Sequence, residues 1–111
     1  MREIRFTPPF QKRFKKLKKR YRHIKKDIQP LLMKLQEGEL IGNQMTGVSQ
    51  TVFKARAKNS DIPTGKSGGY RLIYQVINNQ IVLLLVIYAK SDQTNVTSSE
   101  IEEIIKDTLE Q

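Results

Sequence analysis

The chain has no cysteine, no tryptophan and a single histidine, and each scarcity removes some chemistry. Without cysteine there is no disulfide, no thiolate nucleophile and no sulfur ligand for a metal. A reducing compartment suits that composition. With His23 alone and acids scattered, no spacing has the form of a metal cage. Nor can a Ser-His-Asp or Cys-His set be assembled, because the one imidazole lies inside a run of charge. No metal and no cofactor are therefore expected. Long hydrophobic runs are missing too. The longest, Ile81 to Ala89, is about half of what a membrane helix needs, and Arg2, Glu3 and Arg5 leave no apolar stretch for a signal peptide. A soluble, cytoplasmic protein without membrane contact is the expectation. At 111 residues and 38% hydrophobic content, the whole chain, 1–111, reads as one domain with a modest core.

Negative charge is also scarce, and unevenly so. Residues 1–30 hold twelve Lys and Arg against Glu3 and Asp27, residues 31–90 hold seven against three acids, and residues 91–111 hold Lys106 against six. The formal total is +9 with a pI near 9.9. Such a surface points to a polyanionic partner, since each phosphate neutralised by Lys or Arg releases a counterion. A merely solubilising surface is the plainer explanation. The acidic tail has the charge to lie against the protein's own basic face.

What is present has clear periodicity. Arg2 to Phe6 alternates as a short strand. Thr7 followed by Pro8 and Pro9 is a helix start, with Thr7 as N-cap. Phe10, Phe14, Leu17, Tyr21, Ile24, Ile28, Leu31 and Leu35 recur in steps of four and three, a helical stripe facing a core. Pro30 and the crowding of like charge from Lys15 to Lys26 predict two helices forming a hairpin that breaks between Arg20 and His23. Gly38 closes the second. Glu39 to Gln50 reads as a loop. Val52 to Lys58 reads as a strand with Phe53, Ala55 and Ala57 on one face and Lys54, Arg56 and Lys58 on the other. A glycine-rich loop, Asn59 to Gly69, leads to a strand from Tyr70 to Ile77. Asn78-Asn79 is a turn pair that tolerates positive φ, and Ile81 to Tyr88 is a strand buried on both faces. Ser98 or Ser99 caps a last helix with Ile101, Ile104, Ile105 and Leu109 as its stripe. The expected fold is α+β: a twisted, mostly antiparallel sheet of four strands, an N-terminal helical hairpin on one face, and a C-terminal helix.

Thr64-Gly65-Lys66-Ser67 ends like a phosphate-binding P-loop. However, Ser60 stands where the first glycine belongs, and a strand follows where the motif needs a helix. The glycines more simply let the backbone turn and let a phosphate approach. His23 reads as a surface or helix-end residue. Basic side chains projecting from a sheet carry more information: Lys54, Arg56 and Lys58, then Lys66, Arg71 and Lys90. Lysine on an edge strand is an ordinary guard against aggregation and accounts for Lys58. It does not account for Arg71, which precedes the apolar interior of a strand. Cations held on strands suit the stabilisation of a phosphorane.

Lys66-Ser67-Gly68-Gly69-Tyr70-Arg71-Leu72-Ile73-Tyr74 and Val86-Ile87-Tyr88-Ala89-Lys90-Ser91-Asp92 resemble the two signature segments of RelE/ParE-superfamily toxins. The likeness is closer to the HigB-like branch, with its Gly-Gly-x-Arg-x-Ile-Tyr strand and Ile-Tyr-x-Lys strand end, and the order of elements follows the family over essentially the whole chain. The resemblance implies a RelE-like fold and a type II toxin, acting as a ribosome-dependent endoribonuclease on mRNA and neutralised by a cognate antitoxin protein. It places the family's strand cations on Lys54 and Arg56, its loop lysine on Lys66, its central arginine on Arg71 and its strand-end lysine on Lys90. Where RelE has a further arginine and then a tyrosine, this chain has Ser91 and, approximately, Thr97, so the tyrosine proposed as base in RelE is missing. Lys54 and Lys66 are the candidates for that role. Lys15, Lys16, Lys18 and Lys19, with Lys58, are the expected RNA-binding cations outside the reaction centre. Two alternatives stand beside this reading: a gyrase-poisoning toxin of the ParE branch, and a non-catalytic RNA-binding module stacking bases on Tyr70 and Tyr74.

Overall fold

Thr7 shows how local signals build the first half of the molecule. Its hydroxyl oxygen accepts from the Phe10 amide at 3.3 Å, and the same hydroxyl donates to the Leu84 carbonyl at 2.9 Å. One side chain thus caps a helix and ties it to a strand far along the chain. The computed structural model describes residues 1–63, 68–92 and 95–109. Thr64 to Ser67, including Lys66, and the side chain of Leu109 lie outside that description. The elements run β1 (Glu3–Phe6), α1 (Pro8–Arg20), α2 (Ile24–Gln36), β2 (Asn43–Gln44), β3 (Val52–Ala57), β4 (Tyr70–Val76), β5 (Ile81–Ala89) and α3 (Ser98–Leu109).

The helix break falls where like charge predicts it, over Tyr21 to His23, and Pro30 is accommodated inside α2. Gly38, at φ +99°, lets the chain turn out of α2. The Glu39 amide bonds the Lys34 carbonyl and the Gly38 amide bonds that of Leu35, both at 3.1 Å. That pair of bonds is a Schellman closure. The two helices share a core with one sheet face more than with each other: Phe10, Ile24, Ile28, Leu31 and Leu35 pack with Leu72, Tyr74, Leu84 and Ile87.

The sheet has five strands in the order β1-β5-β4-β3-β2, one more than expected. β2, read as loop, is two polar residues paired with Lys54 and Phe53 of β3. β1 runs parallel to β5; every other pairing is antiparallel. The turn after β4 falls at Asn78-Asn79 as expected, but without the positive φ that the pair tolerates. No described residue other than glycine has positive φ. Instead the Asn78 side chain accepts from the amides of Gln80 and Ile81 at 2.7 and 3.0 Å. On the second sheet face, Val52, Ile73, Leu85, Val86 and Tyr88 pack with Val96, Ile101 and Ile105 around α3. Its cap is Thr97 rather than Ser98 or Ser99. Thr97 Oγ1 accepts from the Glu100 amide at 3.2 Å, and the Glu100 carboxylate takes the Thr97 amide at 3.4 Å, a capping box. The acids of α3 do not meet the basic helices, since the sheet lies between. Among the described residues, Asp92 of the tail does pair with α1, 2.8 Å from Arg20.

Candidate functional site

Side chains alternate along a strand, so Lys54 and Arg56 share the α3 face of β3 with Val52, and Arg71 shares that face of β4 with Ile73. Register then fixes their neighbours. Arg56 stands directly opposite Arg71, and Arg71 directly opposite Tyr88. A row of guanidinium, guanidinium and phenol therefore crosses three strands at one end of the sheet, on the part of the second face where the apolar cluster gives out. Lys54 lies two pairs further in, opposite Ile73. Lys90 follows β5 at the same end, and its amide bonds the Gly69 carbonyl at 3.0 Å.

Arg71 is the unusual member. It is only 7% exposed, and among the described residues neither it nor Arg56 forms an ion pair with a carboxylate. Its Nη1 donates to the neighbouring Tyr70 carbonyl at 3.3 Å. Burial first, and the charge of Arg56 second, pull its pKa below the ordinary value for arginine. Like charges opposite one another destabilise a sheet, and a cation taken from water without a partner costs more. Two guanidinium groups held side by side on one face have the geometry to meet an anion together. Burial holds the Tyr88 phenol above its ordinary pKa, opposed by Arg71, so it stands beside the guanidinium as a neutral hydroxyl.

Lys54 is half-buried, and its Nζ donates to Asn95 Oδ1 at 3.2 Å. Asn95, in the segment leading into α3, was not among the expected site residues. Nothing local distinguishes it from the polar residues around it. Of the loop glycines, Gly65 lies outside the described residues, and Gly69 has a packing reason of its own. A side chain at Gly69 would run into the carbonyl of Ala57, so Gly69 is small because β3 passes there; no phosphate approach is needed to explain it.

The remaining expected cations separate. Lys58 is exposed just beyond β3. Lys15 and Lys18 line an open groove of about 630 Å³ between α1 and α2, floored by Phe10, Phe14, Ile28 and Leu32 and away from the guanidinium row. Lys16 instead lines a cleft at the end of β5, and Lys19 is exposed on α1. Tyr70 and Tyr74, the aromatics a stacking platform would display, are fully buried on the helix side, Tyr74 donating to the Ile41 carbonyl at 2.6 Å. They offer no face to a base. His23 is tied by its Nδ1 to Asp61 Oδ1 at 2.6 Å and holds the loop after β3 against the start of α2. Among the described residues no group of three His, Cys, Asp or Glu is placed to hold a metal, and no helix is long and apolar enough to cross a membrane.

A family model described as ParE toxin of type II toxin-antitoxin system, parDE, matches residues 4–93, from β1 through β5. No curated protein matches the chain.

Proposed function

The chain belongs to the ParE toxin family, within the RelE/ParE superfamily of type II toxin–antitoxin systems, and from that premise we propose that this toxin is a ribosome-dependent endoribonuclease cutting messenger RNA. Its family implies a cognate antitoxin as partner. The observation that carries the reading is Arg71: a buried guanidinium beside a second one, on the middle strand, with no carboxylate among the described residues. A surface that only docked on a protein would not require two cations held against each other on a rigid sheet. A phosphate gaining charge in a transition state does.

In this mechanism the ribose 2′-hydroxyl attacks the adjacent phosphorus. The O2′–P bond forms and the P–O5′ bond breaks, leaving a cyclic phosphate and a 5′-hydroxyl. Arg71 and Arg56 meet the phosphorane's charge, because guanidinium is forked and stays protonated. Lys54 or Lys66, as the neutral amine, takes the 2′-proton, and Lys90, as the ammonium, gives a proton to the 5′-oxygen as it leaves. The exposed lysines of α1, Lys15, Lys16, Lys18 and Lys19, hold ribosomal RNA by backbone charge, as does Lys58. Ribosomes make the cytoplasm the place of action. The HigB-like branch fits the Gly68-Gly69-Tyr70-Arg71 strand best, and no metal or cofactor takes part in the scheme.

Gyrase poisoning is the competing reading, favoured by the name of the matched family. The two separate in one experiment: induce the toxin, map mRNA ends in the cell, and repeat with purified ribosomes. Cleavage confined to translated messages is expected. DNA-damage signalling with intact mRNA would replace the ribonuclease with the gyrase reading.

A further inference from the structure

The groove of about 630 Å³ between α1 and α2 has a floor that the reaction scheme leaves unused. It exists because both helices lean on the sheet: Phe10 and Ile28 reach the common core, while Phe14 and Leu32 stop half-buried against it. Three rings follow one another along the floor. Phe6 lies 5.5 Å from Phe10, and Phe10 lies 6.4 Å from Phe14, centroid to centroid. They span at most about 12 Å, roughly two turns of a helix. Phe6 is 42% exposed, an apolar ring that folding leaves in water. The charge around the floor is of one sign: Lys12, Lys15 and Lys18 on α1 and Lys25 on α2. The three on α1 are spaced three apart, so they follow one side of that helix. Among the described residues no acid lines the groove, and none of these four lysines pairs with a carboxylate.

We propose that this groove is the docking site of an acidic amphipathic helix of the cognate antitoxin. The family supplies the partner; the groove supplies the place and the chemistry. An apolar floor inside a basic rim is complementary to a helix with an apolar stripe flanked by acids. Apolar side chains at every third or fourth position lie along the three rings, and acids on either side meet the lysines of α1 and α2. The groove is on the helix side of the sheet, whereas the guanidinium row is on the α3 side. A docked helix therefore leaves Arg71 uncovered. What it covers is Lys15 and Lys18, the cations that the ribonuclease reading gives to ribosomal RNA. In this arrangement the antitoxin helix and the ribosome compete for one surface. Docking itself rests on the toxin assignment alone; the competition rests also on the ribonuclease reading.

The test uses the full chain and a fluorescent peptide of about 18 residues, five turns of helix, with leucine at every third or fourth position and glutamate beside it. A control peptide has the same composition with its leucines scattered off any one face. The patterned peptide should bind about tenfold more tightly or better, the gain from burying one further leucine. Phe14→Ala should weaken it by about thirtyfold, as for a central aromatic anchor. Lys15→Gln with Lys18→Gln should weaken it by about fivefold, whereas Lys16→Gln with Lys19→Gln, off the groove, should change it by less than about twofold. Urea midpoints keep loss of fold apart from loss of binding. In cells, Leu32→Glu alters no lysine and should stay toxic while escaping a limiting supply of coexpressed antitoxin. Equal binding of the two peptides, equal effects of the two lysine pairs, or full rescue of Leu32→Glu would each overturn the docking site. Dimerisation of the wild type that Leu32→Glu abolishes would also overturn it, by giving the groove to a second copy of the chain. Saturating patterned peptide should displace the toxin from purified ribosomes. Ribosome association unchanged by bound peptide would overturn the competition and the assignment of Lys15 and Lys18 to ribosomal RNA, with the docking site left standing.

Discussion

Under the proposed mechanism, Arg71 sets function against stability within one side chain. Replacing it by methionine, of similar length and without charge, removes a buried cation and its repulsion with Arg56. The variant should be more stable by about 1 kcal/mol, as for other unpaired buried charges replaced by apolar groups, read as a higher urea midpoint at unchanged slope. The same change should lower cleavage about a hundredfold or more, the usual loss for a preorganised donor to a transition-state oxyanion. Arg71→Lys should restore little, because one ammonium does not reproduce a fork. A methionine variant less stable than the wild type would show that the guanidinium is held by something other than the site's need for it. His23 and Asp61 act elsewhere. The hydrogen bonds from the imidazole and from the His23 amide hold the Asp61 carboxyl below its ordinary 3.8. A depressed carboxyl stabilises the fold fully above that ordinary value, and the contribution is lost as pH falls through the folded one. Urea midpoints of wild type and Asp61→Asn should therefore differ at pH 6 and converge on acidification below 3.8. A gap that persisted in acid would mean that the asparagine disrupts the loop directly.

At the scale of elements, α3 hangs on its first turn. Thr97→Ala removes the acceptor for the Glu100 amide and leaves Glu100 without its reciprocal partner, and should cost about 1 kcal/mol. Because Lys54 is met by Asn95, two residues before that cap, the same variant should lower cleavage more than its stability loss explains. Unchanged turnover would separate cap from site. Gly69→Ala should be the more damaging change, since the Ala57 carbonyl occupies the place of a new methyl; a wild-type melting temperature would contradict that packing. These elements also show where the sequence was readable. The Thr7 cap, the interruption at Tyr21 to His23, the Gly38 closure and the alternation of β3 follow from local chemistry, and each could be read before any tertiary contact was known. β2 could not be: two polar residues have no periodicity, and only their pairing with Lys54 and Phe53 makes them a strand. The candidate site was proposed by residue type alone, and its neighbourhood was unreadable. Lys54, Arg56 and Arg71 carry their own signals, but register alone puts Arg56 opposite Arg71. On α1, where nearly every surface position is basic, packing alone decides which residues face β5.

For the whole molecule, expression without the antitoxin should arrest growth and coexpression should restore it; harmless accumulation of folded protein would contradict the toxin assignment. Neutralising Lys15, Lys16, Lys18 and Lys19 together should weaken ribosome association and reduce its salt slope, while leaving the cleavage rate of complexes already bound nearly unchanged. An unaltered slope would make those lysines a solubilising surface only. The parallel pairing of β1 with β5 bears on when the protein becomes dangerous. Thr7 reaches Leu84 across 77 positions of chain, and the guanidinium row is completed by Tyr88, far into the sequence. A nascent chain leaves the ribosome N-terminus first, so its basic helices emerge while the strand they pack against is still being made. Non-local pairings of this kind close late. The guanidinium row is thus assembled only after β5 has been made, and a nascent chain that stops short of Tyr88 does not yet present that face.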